Sequence, residues 1–154
     1  MGNSWWYNFD VSKYQKGILA ILRIALGWTF FYQGIARIIS PDWTLAEAML
    51  RGETFARFFE LIFDNQHLSL ALNLIWQWGF VLIGLFLIIG LFVRLSASIG
   101  AVLLIFQYLT ALSFPYVNPS SYLVDGNIIY ALALMVMITL RTGRVWGLDG
   151  RLRD

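Results

Sequence analysis

Residues 17–39, GILAILRIALGWTFFYQGIARII, form an almost wholly apolar run interrupted by Arg23, Gln33 and Arg37. At a helical rise of about 1.5 Å per residue the run reaches roughly 34 Å, enough to cross a hydrocarbon core of about 30 Å. It reads as a first transmembrane helix. A charge inside such a helix is costly, so each arginine asks for a partner, a watery cavity or a route to the headgroups. Composition agrees. The chain is 59% hydrophobic and 13% charged, against about 45–50% and about 25% for a soluble domain. The expectation is a single-domain, all-α integral membrane protein in a lipid bilayer.

Other classes fall away. The net charge is only +2 and no basic cluster stands among polar residues, so nucleic acid is not an expected partner. With no cysteine and one histidine, His67, these residues offer no disulfide, thiolate, Fe–S cluster, His pair or metal site. No basic n-region with a small-residue cleavage site precedes the first apolar run, which reads as a retained helix.

Residues 1–16 place Trp5, Trp6, Tyr7, Tyr14, Lys13 and Lys16 at a membrane edge. Ser40-Pro41-Asp42-Trp43 breaks the first helix. Thr44-Leu-Ala-Glu47 has capping-box spacing and opens a short helix over about 45–51. Phe55, Phe58, Phe59 and Ile62 recur at i, i+3, i+4 and i+7 against Glu53, Arg57, Glu60 and Asp64. They predict an amphipathic interfacial helix over about 54–63. Further spans are expected over 69–93 and 95–114. Residues 128–140 alone are too short to cross. Asn118 as N-cap and Pro119 at N1 extend the last helix to 119–142 and carry Asp125 inside it.

These boundaries give a four-transmembrane-helix bundle. Lys13, Lys16, Arg94, Arg141, Arg144, Arg151 and Arg153 then share one side against Arg37, Arg51 and Arg57 on the other. That excess puts both termini in the cytoplasm.

Leu22-Arg-Ile-Ala-Leu-Gly-Trp28, Gly84 through Gly90-Leu-Phe-Val-Arg94, and Gly143-Arg-Val-Trp-Gly-Leu-Asp149 together resemble the DoxX/DoxD family of small membrane proteins. Val124-Asp125 followed by Ile128-Ile129-Tyr130-Ala131-Leu132 is similar to the start of that family's last helix. The Gly-Leu-Asp ending lies nearest the DoxD branch. The resemblance implies a four-helix membrane bundle, and a role as membrane subunit of a thiosulfate:quinone oxidoreductase. Asn127 and Phe80 stand where members often carry His and an acidic residue, and both remove an ionisable group.

Arg37 and Asp125 are the first candidate pair, late in the first helix and early in the last. Two readings are open. They form an interhelical salt bridge, or with Gln33 they line an outward-facing pocket for a quinone headgroup or another polar ligand. Arg23 either snorkels or is met by Asp149, for which Arg94 is a second partner. Gln77, Gln107 and Tyr108 read as interhelical hydrogen-bonding residues, and Gly27 and Gly34 as a close-packing face.

With no redox centre encoded, the favoured function is an accessory subunit of a larger membrane complex linked to quinone or electron transport. The alternatives are the thiosulfate:quinone oxidoreductase subunit, and an assembly factor or small transporter. The expected location is a prokaryotic cytoplasmic membrane.

Overall fold

The structure is a computed structural model that describes residues 13–50, 56–114, 116–118, 121–140, 142–144 and 147–148. Six α-helices are present among them. They are α1 (Lys13–Ile39), α2 (Leu45–Met49), α3 (Ala56–Phe63), α4 (Gln66–Ile89), α5 (Val93–Ala111) and α6 (Gly126–Thr139). Two short strands, β1 (Tyr116–Asn118) and β2 (Ser121–Tyr122), pair antiparallel between α5 and α6. Helices α1, α4 and α5 are long and apolar enough to cross a membrane. Helix α6 has 14 residues, about 21 Å. The tryptophan-rich lead at 5–7, and Arg51, Glu53, Phe55, Arg141, Asp149, Arg151 and Arg153, lie outside the described residues.

Helices α1 and α4 run antiparallel at backbone contact, and three glycines make this possible. A Cβ on Gly27 would sit 2.9 Å from the Gly84 carbonyl and 2.9 Å from the Ile88 nitrogen. One on Gly34 would sit 2.7 Å from the Val81 nitrogen. One on Gly84 would strike the Phe31 nitrogen and stand 2.6 Å from the Gly27 carbonyl. In lipid, where tails are as apolar as leucine, such close packing is what holds helices together.

Helices α5 and α6 pack as a second pair. Between the pairs lies the core, with Leu26, Phe30, Phe80, Ile83, Leu87, Val93, Ala97, Leu104, Leu134 and Met137 buried. Phe30 and Phe80 stack at 5.2 Å between centroids, and Trp76 continues the aromatic row 5.7 Å from Phe80. The outer faces carry Leu74, Ile75, Leu82, Val102, Ile129 and Leu132, all exposed, as lipid-facing positions should be.

Three expected boundaries change, each for a local reason. The second long helix ends at Ile89, not at 93, because Gly90 takes the left-handed C-cap conformation at φ 77°. The turn is therefore Gly90-Leu91-Phe92, and Arg94 belongs to the first turn of α5. That helix in turn stops at Ala111 rather than at 114.

The last helix starts at Gly126, not at Pro119. Asn118 is extended and pairs with Ser121, so it is strand and not cap. Asp125 takes the N-cap role instead, its Oδ1 accepting from the Ile128 amide at 3.2 Å. Asp125 thus lies at the helix entrance rather than in its second turn. The Thr44 cap forms as expected, accepting from the Glu47 amide at 3.2 Å. On α3, Phe58 and Leu61 are exposed together with Arg57 and Glu60, while Phe63 packs against the Leu45–Met49 cluster of α2.

The glycine seam gives a direct test. Gly84→Ala should cost about 1–3 kcal/mol through overpacking against backbone that cannot yield. Gly79→Ala, with nothing within 4 Å of its new methyl, should be at least as stable as wild type. Thermal unfolding in detergent separates the two. Equal melting of both variants would remove the seam's role.

Candidate functional site

The two arginines of α1 stand at opposite ends of the bundle in different chemistry. Arg23 is 2% exposed, so it does not snorkel. Its Nη1 donates to the Thr142 carbonyl at 2.9 Å, and Thr142 is itself fully buried. The guanidinium lies in a cradle of two glycines. A Cβ on Gly90 would stand 3.0 Å from Arg23 Cζ, and one on Gly147 would stand 2.9 Å from Arg23 Nη1. Thr142, Gly90 and Gly147, from three separate parts of the chain, therefore meet around this side chain. Arg94 is exposed and makes no ion pair among the described residues. Asp149, the other expected partner, lies outside them.

Arg37 sits one turn beyond Gly34. Close approach of α1 to α4 there brings the guanidinium 4.1 Å above the Phe80 ring centroid, with the Trp43 ring at 5.3 Å. Aromatic faces attract the cation. Gln33, one turn back on the same helix, accepts from Arg37 Nη2 at 3.3 Å. The other terminal nitrogen, Nη1, is buried and has no hydrogen-bond partner among the described residues.

Arg37 lines a cavity of about 430 Å³ at this end of the bundle, with Trp43, Leu45, Met49, Trp76, Gln107, Asp125 and Asn127 around it. The cavity exists because α6 begins late. Between Ala111 and Gly126 no membrane-length helix fills the space beside α1 and α4. Helix α2 closes one side, tied to α4 where the Leu45 amide donates to Asn73 Oδ1 at 3.1 Å.

Asp125 is 6% exposed. Beyond its cap bond to Ile128, its Oδ2 accepts from Asn127 Nδ2 at 2.8 Å. Arg37 and Asp125 thus share one cavity, yet among the described residues they do not join as an ion pair. Gln33 is absent from the lining and acts by holding Arg37.

Gln107 departs from its expected interhelical role. Its Oε1 is buried without a partner on the same cavity. Tyr108 does bridge elements, donating to the Leu123 carbonyl at 2.6 Å and tethering the strand pair to α5. Sequence reasoning passed over Trp43 as a site residue, and marked Phe80 and Asn127 only as departures from the family pattern. Asn127 had a local signal, standing two residues after an aspartate at a helix entrance. Nothing local to Phe80 or Gln107 pointed to this cavity, because only the packing of α1, α4 and α5 brings them to Arg37 and to it.

Removing the buried cation should be felt. Arg23→Met strands the Thr142 carbonyl and should cost about 1–3 kcal/mol. Arg94→Ala, an exposed change, should stay within about 0.5 kcal/mol. Melting curves of both variants in the same detergent check this, and indistinguishable curves would disprove the brace.

Comparison with known proteins adds one positive finding. The DoxX family model matches residues 18–113. No curated protein and no solved structure matches the chain. The matched stretch runs from α1 through α5 and contains the glycine seam, Arg23, Arg37 and Gln107; the chain is a membrane protein of the DoxX family.

Proposed function

We propose that this protein is a subunit of a larger membrane assembly whose cavity holds the headgroup of a quinone, with electrons supplied by a partner chain. One observation carries the reading. Two buried polar atoms with no hydrogen-bond partner among the described residues, Arg37 Nη1 and Gln107 Oε1, belong to residues lining a single cavity of about 430 Å³ that also has tryptophan walls. Buried polar atoms are rarely left unpaired unless a ligand or water meets them.

The residues fit the group. A quinone ring is flat with oxygens on its rim. Trp43 and Trp76 offer indole surfaces to the ring, and Arg37 offers a charged donor to an oxygen. A bound quinone would supply two-electron, two-proton chemistry. The side chains of these 154 residues, without cysteine and with one histidine, supply binding and orientation.

In this reading α6 makes a fourth crossing, completed by the segment before it, and α3 lies in the interface. Lys16 and Arg94 on the Arg23 side, with the basic residues near the C-terminal end of the chain, favour a cytoplasmic location for both termini. A prokaryotic cytoplasmic membrane suits that charge bias. The Gly-Leu-Asp ending supports a narrower form of the reading, a DoxD-like membrane subunit of a thiosulfate:quinone oxidoreductase. A carboxylate on the same cavity as Arg37 favours a neutral headgroup over thiosulfate at this position.

Purification from the native membrane in mild detergent, with mass spectrometry of proteins and extracted quinones, tests the proposal. The expected outcome is a stoichiometric partner and a bound quinone that is lost from a folded Arg37→Leu variant. A preparation without quinone, or equal quinone in both proteins, would overturn it.

A further inference from the structure

We infer that the cavity is matched to a ligand hydroxyl rather than to a ligand carbonyl. Resting on the quinone reading above, this means that it takes the reduced quinol in preference to the oxidised quinone.

The inference follows from the signs of the groups on the cavity wall. Arg37 Nη1 is a donor that can never accept, and it is buried and unpaired. Asp125, as a carboxylate, offers only acceptors. Each of its oxygens takes one hydrogen bond, from Ile128 N and from Asn127 Nδ2, and keeps a further lone pair. Gln107 Oε1 is another buried acceptor, without a donor among the described residues. The Thr110 hydroxyl donates to the backbone carbonyl oxygen of Gln107 at 2.8 Å.

Each ligand chemistry meets this wall differently. A carbonyl oxygen satisfies Arg37, but toward Asp125 it sets lone pairs against lone pairs once water is displaced. An anion satisfies Arg37 and is repelled by the carboxylate. An ammonium satisfies the carboxylate and is repelled by Arg37. A neutral ring bearing hydroxyls accepts from Arg37 and donates to Asp125 or Gln107. Of these four it alone brings an acceptor to the guanidinium and a donor to the carboxylate.

Anaerobic equilibrium binding of decylubiquinol and decylubiquinone to the full chain in lipid nanodiscs tests the inference. Wild type should bind the quinol about tenfold more tightly, the scale of one hydrogen bond to a charged group. Asp125→Asn keeps a helix-capping side chain and adds an N–H donor, so the two affinities should converge. Gln107→Leu, a second variant remote from the cap, should weaken quinol binding and leave quinone binding nearly unchanged.

Equal affinities in wild type, or tighter quinone, would overturn the inference while the quinone reading stands. A preference that survives both substitutions would also overturn it. Binding of neither compound to folded wild type would remove the quinone reading as well.

Discussion

The backbone contact between α1 and α4 is the constraint from which most of the structure follows. Gly27 and Gly84 face one another, and Gly34 faces Val81 and Gln77. With no side chain between them, the two helices approach more closely than leucines would allow. That proximity puts Phe30 on Phe80 in the core. Two turns further along it lays the Arg37 guanidinium on the face of Phe80. A cation inside a membrane helix is thereby held by π-faces, and by Gln33 from one turn below. The packing device and the candidate site are the same stretch of helix pair.

The two arginines of α1 show two answers to one energetic problem. At one end Arg23 is sealed, with a backbone carbonyl from the segment after α6 and two glycines closing over it. The carbonyl supplies the acceptor, and the missing Cβ atoms supply the room. At the other end Arg37 keeps a donor unpaired beside a cavity. Exposed, lipid-facing apolar side chains lie between the two ends. A sealed charge and a charge beside a cavity thus occupy one helix without meeting.

The late start of α6 separates this fold from a plain bundle. A helix from Pro119 would have filled the space now left beside Arg37. The β1–β2 pairing takes that segment instead, and Leu123 turns the chain at φ 58°. Asp125 then gains the amide of Ile128 as N-cap. The same carboxylate caps the start of the helix and lines the cavity, so cap and site form together. Tyr108 holds the arrangement from α5.

Much of the fold could be read from the residues in order. Apolar length marked α1, α4 and α5 as membrane helices, because a bilayer core demands about 20 apolar residues whatever their neighbours are. Thr44 declared its cap, and Gly27 and Gly34 declared a close-packing face. Arg37 and Asp125 could be singled out because ionisable groups in apolar surroundings are rare and costly. Their relation was beyond the sequence. Whether they touch or stand across a cavity depends on where α6 begins, and a strand pairing decided that against a plausible Asn-Pro cap. Phe80 beneath Arg37, Gln107 without a partner and Gly147 over Arg23 were equally hidden, since each is a contact between segments distant in the chain. Local chemistry sets which residues must find partners, and only the packing of helices brings particular partners to them or leaves them facing an open cavity.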